Sequence, residues 1–362
     1  MNNLSYKDKY LKYKKKYIEL KQLAGYGYKN IDELKKNFID YVGKNKEKNK
    51  DLKNLFTKEK NGIRICTYNI HYFTDLYEEK NTYFDVLNDI KLIDADILIL
   101  EEVIIGSIIK INSKLIIDVS SLYTQLNELG YHKIIACNNV PSWFNGIYCN
   151  LILIHDRILS DCVVESVASI ESITKCEKLN ESIVSFPKGK SSVVVSGKHK
   201  GTKETRCYIY INYNTPEYNF HIYGTHLDVA SEEERLYQIK NIIENSKQFN
   251  KEKDYILILG DFNTLDKRKV YPDEEKMKFI KSNAFIKDNG AVVEEIKVKN
   301  NFTDLLGRNN DIEMTTWNNT IVDFIFMKNG KGNPIPDNLI PKVYFTLASD
   351  HLPVILDIPI SK

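Results

Sequence analysis

Polar residues that can bind metals or transfer protons follow many of the short apolar segments of this 362-residue chain. A charged or amide side chain beside a buried strand is costly unless it is solvated or neutralised. Taken singly, each of these residues also has a structural explanation, such as closing a turn. Together they predict one site, with the candidates Asn69, Glu101, Glu102, His226, Asp228, Asp261, Asn263, Asp323, Asp350 and His351.

The carboxylates, carboxamides and imidazoles of this set suit metal-assisted hydrolysis of a phosphate ester. Mg²⁺ prefers one or two carboxylates together with water and phosphate oxygens, and one of the adjacent glutamates Glu101 and Glu102 fits that preference. Asp261 and Asn263 share a face of an extended chain, because side chains two residues apart point the same way. Gly260, just before them, removes a side chain where something approaches closely. Asp323 lies within an apolar segment and needs a partner, for which a histidine is expected.

Short apolar segments alternate with helical stretches from Ile63 onward, which predicts an α/β body. Segments such as Ile256–Leu259 are apolar on both faces, as in a strand covered on both sides. Two packed sheets flanked by helices would fit, although the pattern alone does not fix that arrangement. Helices are predicted at 4–24, 31–42, 82–92, 120–129, 231–249 and 273–283. Strands are predicted at 63–70, 97–100, 151–154, 193–195, 207–213, 220–225, 255–260, 321–327 and 354–358.

Charge is unevenly distributed along the chain. Residues 1–60 contain 17 lysines, no arginine and eight acidic residues, a net charge of +9, while the remainder has 34 basic and 41 acidic residues, a net charge of −7. We expect a basic helical extension and linker in residues 1–60 and a catalytic domain in residues 61–362. An anionic partner, such as nucleic acid or a membrane surface, would suit the extension, and a solubilising tail is the alternative.

The six cysteines have neither C-x-x-C nor zinc-finger spacing, which favours reduced thiols in an intracellular protein. The lysine-rich N-terminus lacks the apolar core of a secretory signal, so secretion is not expected. The most apolar stretch, Ile97–Ile111, is interrupted by charges. It is also shorter than the roughly 20 residues that a membrane-spanning helix needs. No transmembrane segment is therefore expected.

Six short motifs follow one another in a recognisable order: T-Y-N-I at 67–70, L-E-E-V at 100–103, G-T-H-L-D at 224–228, G-D-F-N at 260–263, V-D-F-I at 322–325 and S-D-H-L-P at 349–353. In order and local sequence they resemble those of the endonuclease/exonuclease/phosphatase superfamily, the deoxyribonuclease I-like proteins. They span nearly the whole body, and G-D-F-N with a downstream S-D-H is quite specific. The resemblance implies a four-layer α/β sandwich of two packed mixed β-sheets flanked by helices.

The resemblance also implies roles for individual residues. Mg²⁺ or Mn²⁺ would be the cofactor, held by residues among Asn69, Glu102, Asp350, Asp261 and Asn263. Catalysis would rest on His226, Asp261, His351 and Asp323, with His351 as general base and Asp323 orienting a catalytic histidine. Substrate would be bound by Asn150, Asn263 and Arg206. Two departures stand out: Glu101 occupies a position where many members carry glutamine, and N-G-I-Y-C-N at 145–150 matches the family's Gly-x-Gly-Asn segment imperfectly.

Members of this superfamily cleave DNA, RNA, protein–DNA tyrosyl links, inositol phosphates and sphingomyelin, and the fold does not choose among them. The basic extension favours nucleic acid, although the acidic body opposes a polyanion. A lipid or inositol-phosphate phosphoesterase, sphingomyelinase-like, is the alternative. Trp143 and Phe144, in V-P-S-W-F-N-G, would suit a lipid substrate if exposed, and ordinary packing is the other explanation for them. A non-catalytic interaction protein that uses its basic extension is a further alternative, and the intact ligand set argues against it.

The N-terminal Tyr/Lys segment also resembles leaders found on giant-virus proteins. Its repeated Tyr-Lys pairs, as in Y-K-D-K-Y-L-K-Y-K-K-K-Y, make it close to low complexity. This resemblance would imply a viral protein that acts in the cytoplasm of an infected cell.

Overall fold

The computed structural model describes residues 28–50, 62–106, 108–110, 115–139, 147–159, 181–185, 206–229, 231–265, 290–318 and 320–360. Several predicted features lie outside these ranges, namely the helices at 4–24 and 273–283, the strand at 193–195 and the Trp143–Phe144 loop.

A first, mixed sheet has six strands, in the spatial order β13 (Lys342–Val343), β14 (Val354–Pro359), β1 (Gly62–Asn69), β2 (Ile97–Ile105), β6 (Ile147–Ile154) and β5 (Lys133–Asn139). Strand β1 runs parallel to β2 and antiparallel to β14. Its side chains alternate between two hydrophobic clusters, with Ile63 and Ile65 in one and Cys66 and Tyr68 in the other. The sheet is therefore buried on both faces.

A second mixed sheet also has six strands, in the order β11 (Thr303–Asp304), β12 (Asp323–Asn329), β10 (Asp254–Asp261), β9 (Asn219–His226), β8 (Cys207–Asn214) and β7 (Glu181–Ser185). Gly224 of β9 packs directly against Ile99 and Ile152 of the first sheet, since a Cβ added there would lie 3.0 and 3.1 Å from their Cδ1 atoms. The two sheets thus pack face to face. Residues Ile256–Leu259 are all buried, as their apolar pattern predicts. A separate ribbon pairs β3 (Ile108–Lys110) with β4 (Ile116–Asp118).

Helices cover the outer faces of both sheets. Helices α2 (Tyr83–Ile93) and α3 (Leu122–Glu128) bury their apolar sides in the cluster that contains Cys66 and Tyr68. Helix α5 (Glu232–Ser246) lies on the far side of the second sheet, where Tyr223 Oη donates to Asn245 Oδ1 at 2.6 Å. The described residues also include the short helices α4 (Asp156–Leu159) and α6 (Ala291–Glu294), the 3-10 turns His71–Phe73 and Leu306–Arg308, and the π-helical turn Glu295–Lys299. The chain is a four-layer α/β sandwich of deoxyribonuclease I type, as expected.

Helix α1 (Tyr28–Asn45) belongs to the basic N-terminal segment and packs against the body. Leu34, Phe38 and Val42 are buried, and the ring of Tyr41 meets that of Phe345 edge-on, with centroids 5.5 Å apart. The sequence predicts a helix at 31–42, and the buried residues of α1 follow its helical spacing. The division of the chain at residue 60 stays a prediction. Among the residues that the structure describes, no helix is long and apolar enough to cross a membrane.

Three strands differ from the sequence prediction by two or more residues at an end. Strand β6 begins at Ile147, four residues before its predicted start. Strand β2 continues past Leu100 to Ile105, because a bulge lets pairing with β6 resume beyond the two glutamates. Strand β12 begins at Asp323 instead of residue 321, so this aspartate lies at a strand end and not inside the strand. The sequence pattern does not predict strand β5, because its only apolar segment, residues 134–137, is short and lies at a sheet edge.

Candidate active site

Four strand ends meet at one edge of the sandwich. In the second sheet, Asp261 of β10 pairs with His226 of β9 on one side and with Asp323 of β12 on the other. Strand β1 of the first sheet lies against β10, and Asn69 Nδ2 donates to Asp261 Oδ2 at 3.0 Å. This hydrogen bond joins the two sheets at the point where their polar residues converge.

His351 is held by the carboxylate of Asp323. Its Nδ1 atom lies 3.0 Å from Asp323 Oδ2 and 3.2 Å from Oδ1, while its Nε2 lies 3.8 Å from Asp261 Oδ2. A carboxylate at Nδ1 fixes the ring with its proton on that atom and leaves Nε2 as the reactive nitrogen. Burial disfavours the charged ring, but the surrounding carboxylates, Asp323 first, outweigh it and raise the pKa of His351 well above its usual value.

Asp261 is the most connected carboxylate of the site. Besides the bond from Asn69, it accepts one from the backbone N–H of Asn263 at 2.8 Å, and it lies 3.6 Å from His226 Nε2. Burial raises the pKa of Asp261 to about 7, although the nearby His351 opposes that shift. Asn263 has a left-handed backbone, with φ of 48°, and its Nδ2 donates to Leu227 O at 3.0 Å, which fixes the amide.

A β-bulge in β2 sets the direction of the two adjacent glutamates. Leu100 pairs with Leu151 and Val103 with Cys149, so both glutamates face the single residue Asn150. Glu101 turns inward, where it is fully buried and accepts a hydrogen bond from Thr67 Oγ1 at 2.5 Å. Burial raises its pKa well above the usual range.

Glu102 occupies the other side of the bulge, with a left-handed φ of 57°. Its Oε1 atom lies 3.9 Å from His226 Nε2, and its side chain is 16% exposed, which leaves it open to a ligand. Burial raises the pKa of Glu102, and the charge of Asp350 raises it further, while His71 opposes both effects. Two carboxylates that repel each other at a nearly buried position indicate a place for a cation.

A third histidine, His71, lies in the site, and sequence reasoning missed it. Its Nδ1 atom is 3.7 Å from Asp350 Oδ1, and its backbone N–H donates to Asn69 Oδ1 at 3.1 Å. His71, Tyr72 and Phe73 all have positive φ, at 44°, 54° and 63°, an unusual run of strained backbone. The available signal was its position two residues after Asn69, in T-Y-N-I-H.

The residues predicted to bind substrate lie at the margin of this cluster. Arg206 is 2% exposed, and its positive charge lowers the pKa of both Glu102 and His226. Burial lowers the pKa of His226 well below its usual value, and Arg206 lowers it further. Asn150 is 2% exposed, and its amide forms no hydrogen bond with any residue that the structure describes.

Two polar residues in and after the G-T-H-L-D motif are structural instead. Asp228 Oδ1 accepts a hydrogen bond from Ser231 N at 2.7 Å, at the start of α5. Arg235 is fully buried and donates to the backbone oxygens of Asp228 and Val229 at 2.9 and 3.3 Å. Both therefore hold the loop that follows His226.

The donor set fits a divalent cation on the Glu102 side of the site. The ligand atoms of Asp261, Asp323 and His351 also lie within 4.8 Å of one another. However, Asp323 and His351 already satisfy each other through a hydrogen bond, which suits proton transfer better than metal binding. Glu102 and Asp350 have no such mutual bond and repel each other. Hard cations prefer oxygen ligands of this kind.

Comparison with known proteins gives a structural match without a sequence match. No protein-family model and no curated protein sequence matches the chain. An endonuclease/exonuclease/phosphatase from Beutenbergia cavernae aligns with a TM-score of 0.52 and 14% identity, over 83% of this chain and 72% of that one. The human Nocturnin catalytic domain aligns with a TM-score of 0.52 and 17% identity, over 83% and 94%.

A further protein of this type, from Leptotrichia buccalis, aligns with a TM-score of 0.50 and 15% identity, over 82% of this chain and all of that one. At these identities the likeness concerns the fold. The chain has the fold of the endonuclease/exonuclease/phosphatase proteins.

Proposed function

We propose that this protein is a divalent-metal-dependent phosphodiesterase and that its substrate is nucleic acid. The observation that carries the proposal is the arrangement of Asp323, His351 and Asp261, an oriented imidazole whose Nε2 faces a carboxylate. The fold and the ordered motifs support the same reaction class. The Nocturnin domain of the same fold was solved with a bound sulfate anion, which supports oxyanion binding by this architecture.

Glu102 and Asp350, together with Asn69, would hold Mg²⁺ or Mn²⁺, and Asp261 and Asn263 are the residues available for a second ion. The bound cation would neutralise the phosphate and stabilise the charge that develops in the transition state. Asn69 Oδ1 also anchors the backbone of His71, so this amide fixes the geometry of the acidic side of the site.

His351 would take a proton from the attacking water through Nε2 while Asp323 holds Nδ1. The carboxylates around the ring stabilise the imidazolium that forms. Neutralising the charge of Asp350 would lower the pKa of His351 and so favour the unprotonated ring that a general base needs. Asp261, 3.8 Å from Nε2, would orient the water, and His226 would contact the phosphate or protonate the leaving oxygen.

Three residues are suited to bind the phosphate group. The amide of Asn150 lies opposite the two glutamates and has no partner among the described residues. The guanidinium of Arg206 would offset the negative charge of a phosphate near His226. Asn263, fixed by its bond to Leu227 O, would present its remaining amide oxygen or orient water. Action inside a cell and a viral origin stay predictions of the sequence.

Activity measurements on a substrate panel test the proposal. Purified protein with Mg²⁺ or Mn²⁺ would be incubated with duplex DNA, single-stranded DNA, RNA, a 5′-tyrosyl oligonucleotide, sphingomyelin and inositol phosphates. We expect hydrolysis of a nucleic acid, its loss in EDTA, and a decrease in kcat of about 10²–10⁴-fold for His351→Gln and Asp323→Asn. The control is His132→Gln, an exposed histidine that pairs with Asp156 at the surface and should leave the rate unchanged.

Two results would contradict the proposal. One is the absence of hydrolysis throughout the panel. The other is activity that persists in EDTA and in both active-site variants. If only sphingomyelin or inositol phosphates are hydrolysed, the proposed phosphoesterase activity is correct and the proposed nucleic-acid substrate is wrong.

A further inference from the structure

Helix α1 brings a lysine to the rim of the active site, between two aromatic rings. Lys35 Nζ lies 4.3 Å from the ring centroid of Tyr77 and 5.6 Å from that of Trp317, and it donates a hydrogen bond to Leu76 O at 3.0 Å. We propose that Lys35, Tyr77 and Trp317, the rim cluster, bind the nucleotide next to the scissile phosphate of a single-stranded nucleic acid. This inference rests on the proposed phosphodiesterase function.

Trp317 connects the rim cluster to the acidic side of the site. Its backbone N–H donates to Asp350 O at 3.0 Å, and the neighbouring residues Thr316 and His351 form an antiparallel bridge. In that register Trp317 stands opposite Asp350, and residues opposite each other in an antiparallel pair have side chains on the same face. The indole therefore flanks the carboxylate that we assign to the metal.

Tyr77 also lies near Asp350 in the chain of contacts, through its neighbour Glu78 and through His71. The next residue, Glu78, lies 4.0 Å from His71 Nε2, and His71 Nδ1 lies 3.7 Å from Asp350 Oδ1. Tyr77 is 40% exposed, so its ring offers surface to a ligand. Tyr77 is thus linked to Asp350 through its chain neighbour Glu78 and through His71, while Trp317 is linked to Asp350 through the backbone.

The chemistry of the rim cluster fits a nucleotide. Aromatic side chains stack on bases without regard to sequence, and a lysine beside them attracts the backbone phosphate. Lys35 also supplies a positive charge beside a body whose net charge of −7 would otherwise repel a polyanion, although α1 as a whole has only four lysines against three acidic residues. A phosphocholine headgroup does not fit, since Lys35 places a positive charge where a quaternary ammonium would seek the ring faces.

The experiment compares two substrates and two lysines on one helix. Lys35→Met removes the charge and keeps the apolar stem, Lys35→Arg keeps the charge, and Lys36→Met alters the adjacent, exposed lysine of α1. Steady-state kinetics would use an oligothymidylate of about ten nucleotides and bis(p-nitrophenyl) phosphate, a diester without a nucleoside. For Lys35→Met we expect KM for the oligonucleotide to rise about tenfold, with kcat and the small-diester rates unchanged.

Salt dependence identifies the lost contact as a phosphate contact. The slope of log KM against log salt concentration for the oligonucleotide should decrease by about 0.7 in Lys35→Met, the value for one phosphate on a single strand. Lys35→Arg and Lys36→Met should keep the wild-type slope. Tyr77→Leu, at an exposed position that tolerates the change, should weaken oligonucleotide binding and leave the slope unchanged. Thermal melting of each variant shows whether it is folded.

The outcomes separate this inference from the proposed function. If Lys35→Met slows both substrates equally, or leaves the salt slope unchanged, Lys35 only attaches α1 to the body and the inference is wrong. A wild-type protein that cleaves the small diester but no nucleic acid also overturns it. If the wild type cleaves neither, the phosphodiesterase proposal fails. Fluorescence anisotropy of a labelled oligothymidylate then still tests the rim cluster, because binding that is equal in Lys35→Met and wild type contradicts it.

Discussion

His71 shows how much of the site depends on a single backbone conformation. Three consecutive residues in left-handed conformation cost of order 1–3 kcal/mol each, so the surrounding structure must hold them there. The bond from His71 N to Asn69 Oδ1 and the contact of its ring with Thr74 Oγ1 at 3.1 Å both do so. The result is an imidazole held against Asp350, at the side of the site where we place the cation.

Replacing His71 should therefore weaken cation binding more than it weakens the fold. For His71→Asn we expect the Mg²⁺ concentration for half-maximal activity to rise about 10- to 100-fold, as for other residues that orient metal ligands. A metal titration of the hydrolysis rate measures this, and a direct titration of Mn²⁺ binding gives a readout independent of turnover. His132→Asn, at the surface pair with Asp156, is the matched control. Unchanged metal dependence in His71→Asn would show that the ring does not support the acidic ligands.

At the level of the elements, two backbone features direct the strand ends toward each other. The bulge in β2 separates Glu101 from Glu102, and Gly260 permits close approach of β10 to β9. Gly260 has a φ of 142°, and a Cβ there would lie 1.7 Å from Thr225 O. Only glycine fits at this position, which directly precedes Asp261. The small residue before the acidic motif is thus a structural requirement of the site.

Gly260→Ala should unfold or strongly destabilise the protein, by more than about 4 kcal/mol, because a side chain would meet the backbone of a paired strand. Gly43→Ala is the contrasting variant, since Gly43 lies in α1 with no atom within 4 Å of an added Cβ. That change should stabilise the protein by about 0.5–1 kcal/mol. Urea unfolding of both proteins measures the free energies. A stable, active Gly260→Ala variant would show that β9 and β10 can separate without disturbing Asp261.

For the whole molecule, Asp89 links parts of the chain that are far apart in sequence. This residue of α2 is 5% exposed and accepts hydrogen bonds from Thr346 Oγ1 at 2.7 Å and Tyr68 Oη at 3.3 Å. It thereby joins the outer helix, strand β1 and the loop that leads to Asp350. Burial raises the pKa of Asp89 to about 7, although both hydrogen bonds oppose the shift.

The raised pKa of Asp89 makes stability depend on pH. Between about pH 4 and 7 the unfolded chain has an ionised Asp89 and the folded chain a protonated one, so stability falls as pH rises through this range. Asp89→Asn removes this dependence. Its free energy of unfolding, relative to wild type, should rise by about 2–3 kcal/mol between pH 5 and pH 8. Denaturant unfolding at several pH values measures it, and the exposed Asp311→Asn should show no such change. A difference that is constant with pH would contradict the proposed protonation.

Local sequence patterns were enough to identify most members of the acidic and histidine cluster around Asp261. Apolar segments of β length and the polar residues that follow them are local features, so the amino-acid pattern alone places Asn69, His226 and Asp261 at strand ends. The order of the motifs then indicated the fold class. Local patterning also located the apolar face of α1, because Leu34, Phe38 and Tyr41 recur at helical spacing.

Contacts between distant segments, in contrast, depend on the tertiary structure. The register of three strands places His226, Asp261 and Asp323 side by side, and the packing of the two sheets brings Asn69 to Asp261. These contacts are not determined by residues that are neighbours in the sequence. The bulge at Glu102 and the strained backbone at His71 arise from packing that local propensity does not encode. The approach of Lys35 to Trp317 joins residues 282 positions apart. Residue types thus set the available chemistry, while long-range packing set which of those residues can act together.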